Sequence, residues 1–322
     1  MNGRTSSVLI AMIVLLVSPV FAGGSPEDPS AGRDDSAAAE GAAEGAEGEL
    51  RIFVSVQPQK YFVERIAGSE AEVTVMVPPG KEPATYDPTP RQVSQLSTAH
   101  VYFRIRVPFE ESFLPRVERS LEDLRIVDTT ENIDRRHLAV HDHEEDAEDE
   151  ESHGDEQPGE GAVDPHVWLG PMEVKAMAAT IRDTLSELRP ENEARYEENY
   201  ESFAADIDRL HERLSQRLAA VEGATMFVFH PAFGYFADTY GLEQKAIETG
   251  GKEPSSAQLE QIVGAAQEEG VRVIFVQPQF ARSAAERVAE AIDGAVVPID
   301  PLAENWMENM ETIAERVEEG VQ

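Results

Sequence analysis

The chain has 322 residues, of which 62 are acidic and 27 basic, so its formal net charge at pH 7 is −35. That charge argues against a nucleic-acid ligand, because a phosphate backbone would be repelled, and it favours cations. The sequence contains no cysteine, which excludes disulfides, thiolate metal sites and a lipid-modified cysteine. An apolar content of 41% over this length predicts a globular body of one large domain or two lobes.

The first 49 residues carry two features that precede the predicted fold. Arg4 precedes an apolar run over residues 8–17 that leads into "SPVFA", which predicts a signal peptide over residues 1–22 and an exported protein. The run is short for a transmembrane helix, although an uncleaved N-terminal anchor remains an alternative. Residues 23–49 hold eight acids and one arginine among Gly, Ala and Ser, which predicts a disordered acidic tether.

From Leu50 onwards, strand patterns alternate with helix patterns. Strands are predicted at "RIFVSV", "EVTVMV", "HVYFRI" and "LRIVDT", with helices at residues 60–66 and in "RQVSQLSTA". Such alternation predicts a mostly parallel, covered sheet. These segments make up a predicted N-terminal lobe over residues 50–189, which ends in a helix and includes a His- and acid-rich loop at residues 137–164.

One long amphipathic helix is predicted at the centre of the chain. Pro190 suits the first turn of a helix. The apolar residues that follow recur at spacings of three and four and form one stripe: Tyr196, Tyr200, Phe203, Ile207, Leu210, Leu214 and Leu218. A helix of about 30 residues is about 45 Å long, which exceeds a small lobe. We therefore predict that residues 190–221 form a rigid helix that links two lobes.

The alternation restarts after this helix. Strands are predicted at "ATMFVF", "EQKAI", "VRVIFV" and "AVVPI", and helices at "GYFADTYG", "SSAQLEQIVGAAQEEG", "SAAERVAEAIDG" and residues 303–320. This pattern predicts a second lobe over residues 222–322. The predicted fold class is α/β, with two lobes that each contain a mostly parallel sheet flanked by helices, joined by a long rigid backbone helix.

Three polar residues stand where ligands of open α/β sheets bind, beyond the carboxyl ends of strands. His230 follows "ATMFVF", Asp300 follows "AVVPI", and His166 opens "HVWL" after a loop. A set of two histidines and a carboxylate suits zinc, manganese or iron. Each residue also has a structural interpretation, the histidines as hydrogen-bonded structural residues and Asp300 as a turn or helix cap.

Six segments resemble, in this order, the metal-binding proteins of ABC uptake transporters, the ZnuA/TroA-like zinc and manganese binders: "VPPGKEPATYDPTPRQV", "DPHVWLGP", "FHPAFGYFADTYGL", "GGKEPSSAQLEQIV", "VIFVQPQF" and "VVPIDPLAENWMENM". The resemblance runs from about Leu50 to the C-terminus. It implies two α/β lobes, a rigid linking helix and one metal ion buried between the lobes. It assigns the second and third histidine ligands of the family to His166 and His230, and the acidic ligand to Asp300.

The sequence departs from this family at the first ligand. The family usually has a histidine in the stretch that reads "PATYDP" here, and Ala84 stands at its position. A methyl group cannot coordinate a metal, so a water, a metal other than zinc, or another side chain must compensate. The side chains considered are His137, His141, His143, His153, Gln57, Tyr86 and Gln277. Gln277 itself stands where a glutamate is common in the family.

The acidic run over residues 141–164 holds twelve acids, no base and three histidines. Zinc-type members of the family often carry such a loop and manganese-type members usually lack it, so the resemblance favours Zn²⁺ over Mn²⁺ or Fe²⁺. Neutral imidazoles among carboxylates bind zinc reversibly, and the negative field concentrates cations. The alternative is a solvated acidic insertion with incidental histidines.

Together these features predict an exported, monomeric, non-catalytic solute-binding protein of the periplasm or cell surface. It is expected to capture a divalent transition metal, zinc first, and to deliver it to the membrane permease of an ABC importer with its ATPase. Two alternatives stay open. A metal-dependent hydrolase could use the same ligands, with the vacancy at Ala84 as its open position, although no general base is evident. A surface metal buffer or adhesin would need no transporter.

Overall fold

The computed structural model describes residues 49–138, 162–248, 255–280 and 282–321. The predicted signal peptide, the tether up to residue 48 and residues 139–161 of the predicted loop lie outside the described residues. Three of the candidate ligands fall there too: His141, His143 and His153. No helix in the described part of the chain is long and apolar enough to cross a membrane.

The N-terminal sheet has four parallel strands in the order β2-β1-β3-β4. The strands are β1 (Leu50–Val54), β2 (Ala71–Val75), β3 (Val101–Arg104) and β4 (Arg125–Asp128). The helices that connect them are α1 (Gln57–Ala67), α2 (Pro90–Leu96) and α3 (Pro108–Glu118). Buried residues follow one another along β1 and β3, as expected of a parallel sheet that is covered on both faces.

Helix α3 is an element that the sequence patterns did not predict. Pro115 lies inside it, and an internal proline removes a backbone hydrogen bond at a cost of about 3 kcal/mol. The helix forms because Pro108 occupies its first turn and because Phe109, Phe113 and Val117 recur every four residues and are buried. Each such side chain contributes about 1.5–3 kcal/mol when fully buried, so burial outweighs the proline.

The C-terminal sheet repeats this topology with the order β6-β5-β7-β8, again with parallel strands. The strands are β5 (Thr225–Val228), β6 (Glu243–Ala246), β7 (Val273–Val276) and β8 (Ala295–Pro298). The helices are α6 (Gly234–Tyr240), α7 (Ser256–Glu268) and α8 (Arg282–Ala291). The predicted fold of two lobes with parallel sheets is thereby confirmed.

Three further helices complete the fold, and the second of them packs against both of the others: α4 (Pro171–Leu188), α5 (Glu193–Leu218) and α9 (Trp306–Val321). Helix α5 has 26 residues and is preceded and followed by short 3₁₀ turns, Pro190–Asn192 and Ala219–Val221. It packs against α1 and α4 of the N-terminal lobe and against α9 of the C-terminal lobe. The predicted apolar stripe is its buried face, except that Tyr200 is only partly buried.

The strand order reverses at one place in each sheet, between β1 and β3 and between β5 and β7. Open α/β sheets bind ligands beyond the carboxyl ends of the strands at such a reversal. Gln57 follows β1, His230 follows β5 and Gln277 follows β7. The fold therefore puts His230 at the reversal point of the C-terminal sheet.

Candidate metal centre

His166 and His230 come from segments 64 residues apart and meet with their Nε2 atoms 3.2 Å from each other. His166 directly precedes a 3₁₀ turn, Val167–Leu169, and His230 lies two residues after the end of β5. The centroids of the two rings are 5.1 Å apart. His166 is only 9% exposed. Both imidazoles therefore direct the same nitrogen towards one point.

A buried carboxylate holds the other nitrogen of each ring. Asp164 Oδ1 lies 2.8 Å from His166 Nδ1, and Glu248 Oε1 lies 2.6 Å from His230 Nδ1. An ionised carboxylate only accepts hydrogen bonds, so these contacts favour the tautomer with the proton on Nδ1, which leaves the Nε2 lone pair for a metal. Metal-binding histidines are braced in this way in proteins generally.

The surroundings of His166 favour its neutral form. Burial lowers the pKa of His166 below its ordinary value, although the charge and hydrogen bond of Asp164 act in the opposite direction. Burial alone would raise the pKa of Asp164, but its contacts with His166 and Arg136 outweigh burial and leave that pKa below its usual range. An ionised aspartate and a neutral imidazole are the states that a metal site requires.

Aromatic rings cover the histidine pair. Phe280 stacks on His230 with ring centroids 4.9 Å apart and an angle of 25° between the planes. Trp168 lies edge-on to His166 at 5.3 Å. These contacts restrict rotation of the imidazoles and reduce the access of water.

Asp300 follows β8 as predicted, but the histidine pair and Asp300 do not form one cluster. Within the described ranges, no group of three or more His, Cys, Asp or Glu side chains is placed to hold a metal ion. Asp300 Oδ1 accepts hydrogen bonds from the backbone N–H of Leu302 at 2.9 Å and from Gln279 Nε2 at 2.8 Å. Asp300 lines a cavity of about 210 Å³ together with Gln57 and Gln279. The structure thus joins two of the three predicted ligands and leaves the third beside a cavity.

Gln277 is fully buried and holds the backbone of His230 with both ends of its amide. Its Oε1 accepts from the His230 N–H at 3.1 Å, and its Nε2 donates to the His230 carbonyl at 2.7 Å. Both polar atoms of this side chain are therefore engaged. In this structure Gln277 supports a predicted ligand from behind.

The other described auxiliary candidates lie in different places. The Tyr86 hydroxyl donates to Gln92 Oε1 at 2.7 Å. Gln57 lines the cavity beside Asp300. His137 is exposed, and its backbone pairs with Val163 in an isolated antiparallel bridge. Of these side chains, Gln57 shares a cavity with a predicted ligand, Asp300.

Ala84 is exposed in a short 3₁₀ helix, Pro83–Thr85. The carboxylate of Glu82 caps this turn and accepts from the N–H groups of Ala84 at 2.8 Å and Thr85 at 2.9 Å. The charge of Glu82 also acts on His166, where it opposes the lowering of the imidazole pKa. The loop that lacks the family's first histidine thus brings a carboxylate near the pair.

Sequence reasoning missed Asp164, Glu248 and Gln279. Asp164 stands two residues before His166, and Glu248 follows β6, the strand beside β5. Because neighbouring parallel strands end at one edge of a sheet, the position of Glu248 after β6 could have predicted that it lies close to His230. Gln279 faces Asp300 with its amide nitrogen, and its Oε1 is buried without a hydrogen-bond partner among the described residues.

Two parallel α/β lobes with a shared long helix, together with a braced pair of histidines, define the class of two-lobed metal-binding solute-binding proteins. The chain belongs to the family described as "ZnuA: Zinc-uptake complex component A periplasmic", whose profile matches residues 52–320. The resemblance recognised in the sequence is confirmed.

Individual relatives cover most of the chain. The high-affinity zinc uptake system protein ZnuA of Bacillus subtilis (strain 168) is 27% identical over 259 residues, which cover 78% of each chain. The manganese-binding lipoprotein MntA of Halalkalibacterium halodurans is 27% identical over 280 residues, covering 86% of this chain and 83% of that protein. A crystal structure of ZnuA superimposes with a TM-score of 0.78 and 34% identity, over 85% of this chain and 100% of that one.

Proposed function

We propose that this protein captures a divalent transition-metal ion, zinc first, outside the cytoplasm and delivers it to the permease of an ABC importer. The observation that carries the proposal is the separation of 3.2 Å between Nε2 of His166 and Nε2 of His230. Two nitrogen ligands of one tetrahedral zinc ion lie about 3.3 Å apart when each zinc–nitrogen bond is about 2.0–2.1 Å. The pair therefore has the spacing that one zinc ion requires.

The donor set supports zinc over manganese. Imidazole nitrogen suits zinc, whereas manganese prefers carboxylate, carbonyl and water oxygens. The names of the relatives point to both metals, since the Bacillus subtilis protein is a zinc uptake protein and the Halalkalibacterium protein is manganese-binding. Zinc is the metal that we propose, with Mn²⁺ and Fe²⁺ as the competitors to test.

Asp300 is the third ligand that we propose. The indole N–H of Trp168 donates to the carbonyl of Pro301 at 2.7 Å, which ties the segment after His166 to the residue after Asp300. The cavity beside Asp300 leaves room for its carboxylate to turn. A fourth ligand in place of the histidine absent at Ala84 comes from water or from an oxygen of Gln57 or Glu82.

The double variant His166→Ala/His230→Ala tests this site. We expect calorimetric titration with Zn²⁺ to show at least a 100-fold weaker Kd, because the variant removes both nitrogen ligands. His100→Ala is the matched control, since His100 precedes β3 at the amino end of the sheet, where its Nδ1 accepts from the backbone of Arg51. Equal zinc affinity in the double variant and the wild type would refute the assignment, and parallel titrations with Mn²⁺ and Fe²⁺ identify the metal.

Export, delivery to a permease with its ATPase, and a monomeric state complete the proposed function. The periplasmic description of the family supports export. Adding the zinc-loaded protein to vesicles that contain the cognate importer should stimulate ATP hydrolysis, and the double variant should not. The proposal includes neither the hydrolase nor the adhesin.

A further inference from the structure

Behind His166 the bracing carboxylate is itself held by an arginine. Asp164 uses Oδ1 for His166, accepting from its backbone N–H at 2.9 Å and contacting its Nδ1 at 2.8 Å. The opposite oxygen, Oδ2, accepts from Arg136 Nη1 at 2.7 Å. Asp164 is completely buried, so these contacts fix both ends of its carboxylate.

Arg136 is in turn fixed by helix α6, which begins four residues after His230. Its Nε donates to Asp238 Oδ2 at 2.8 Å, and its backbone N–H donates to the Tyr235 hydroxyl at 3.2 Å. The guanidinium also lies 5.9 Å from the centroid of the Tyr235 ring. Arg136 therefore connects the segment of one histidine to the helix that follows the other.

Gly234, at the start of α6, provides the space for this arrangement. A Cβ atom at that position would lie 1.5 Å from Arg136 Nη1 and 2.8 Å from Asp164 Oδ2. The glycine has no left-handed backbone angle, so the requirement is for volume and not for backbone freedom. In its present position, the Arg136–Asp164 ion pair therefore leaves no room for a side chain at position 234.

We propose that Arg136 is a positioning residue that fixes the orientation and tautomer of His166 through Asp164. A carboxylate held at Oδ2 keeps Oδ1 against Nδ1–H, and the hydrogen bond at one imidazole nitrogen decides where the ring proton lies. When Arg136 is removed, Asp164 loses the contact that holds Oδ2, and His166 gains a share of the Nε2–H form, which cannot coordinate a metal through Nε2. The consequence for metal binding rests on the proposed function, whereas the tautomer itself does not.

The primary test uses the metal-free protein, with long-range proton–nitrogen NMR of the histidine rings. In the wild type we expect His166 to carry its proton on Nδ1. Arg136→Met and Gly234→Ala should both increase the Nε2–H share, the first by removing the donor and the second by displacing it. Arg136→Lys should restore the wild-type tautomer in part, because a lysine keeps the charge but not the two-sided geometry.

Two controls separate positioning from a general loss of structure. Asp238→Asn removes the charge of an exposed partner of Arg136 but keeps an acceptor oxygen, and it leaves the contact with Asp164 in place, so the His166 tautomer should not change. The His230 ring, held by Glu248, should keep its Nδ1 proton in every variant. An unchanged His166 tautomer in a folded Arg136→Met and Gly234→Ala protein would overturn the inference.

Zinc titration of the same variants then tests the link to the site. Substituting residues that orient metal ligands typically costs about 10–100-fold in metal affinity. We expect a loss in that range for Arg136→Met and Gly234→Ala, a smaller loss for Arg136→Lys and no loss for Asp238→Asn. A changed tautomer with unchanged zinc affinity would support the positioning role and contradict His166 as a ligand, so the two failures are distinguishable.

Discussion

At the scale of single residues, the site depends on side chains that hydrogen-bond to the backbone of a metal-binding residue. Gln277 illustrates this, because its amide satisfies both the N–H and the carbonyl of His230. An arginine or a carboxylate at this position could satisfy only one of the two groups, since one only donates and the other only accepts when ionised. The glutamine in this chain therefore matches the local hydrogen-bonding demand of His230.

We expect Gln277→Leu to lower the free energy of unfolding by about 2–3 kcal/mol, because it leaves two buried backbone groups unpaired. Urea denaturation measures this loss. Gln267→Leu is the matched control, since Gln267 is exposed and makes one hydrogen bond, to the carbonyl of Ala291. A cost for Gln277→Leu no larger than that of the control would contradict the role assigned to the buried amide.

At the scale of elements, two tryptophans connect the histidine segment to the C-terminal lobe. The Trp306 indole donates to the carbonyl of Trp168 at 2.6 Å, and the Trp168 indole donates to the carbonyl of Pro301 at 2.7 Å. Both rings are buried. The 3₁₀ turn after His166, the segment after Asp300 and the start of α9 are thus joined by two hydrogen bonds.

Trp168→Phe keeps an aromatic ring but removes the hydrogen bond to Pro301. We expect a stability loss of about 1–3 kcal/mol, because a buried carbonyl is left unpaired. We also expect weaker zinc binding, since the tie between the segments of His166 and Asp300 is lost. Thermal unfolding and zinc titration of the one variant check both effects, and wild-type values in both would show that this bond does not order the site.

The elements themselves were largely predictable from sequence, and the exceptions have physical reasons. Strands and most helices followed from apolar periodicity and turn residues, including the helix predicted at the end of the N-terminal lobe, which is α4. Helix α3 was missed because Pro115 is a helix breaker locally and is tolerated only through tertiary burial. His166 and His230 were predicted from a resemblance and from strand ends. The role of Arg136 was not predicted. It depends on the contact between a loop segment and α6, and a pattern of apolar residues along the sequence carries no information about that contact.

At the scale of the whole molecule, one buried carboxyl group should govern part of the pH dependence of stability. Glu110 is fully buried on α3, where it accepts from the N–H groups of Ile105 at 3.0 Å and Arg106 at 2.8 Å and from the hydroxyl of Ser55. Burial raises the pKa of Glu110 from 4.5 to about 7, and these hydrogen bonds oppose the rise only in part. The native protein therefore holds this proton more tightly than the unfolded chain does.

The sign of the effect follows from that difference. Between pH 4.5 and about 7 the native state binds more protons at this group than the unfolded state, so its contribution to stability is complete at low pH and is lost as the pH rises through about 7. The loss amounts to no more than about 3.5 kcal/mol, at about 1.4 kcal/mol for each pKa unit. Urea denaturation between pH 5 and about pH 8 should show this fall in the wild type and a flatter profile in Glu110→Gln; parallel profiles would disprove it.

The shared packing of α5 has a consequence for how the protein unfolds. Phe62 on α1 contacts Phe203 on α5 and Trp306 on α9, with ring centroids 6.1 Å and 5.5 Å apart. The larger apolar core thus continues from the N-terminal lobe into the C-terminal lobe, which also has a smaller core of its own. Neither lobe can be cut away without exposing that core to water. The lobes should therefore lose their structure in one cooperative transition, and neither half alone should make a soluble, folded fragment.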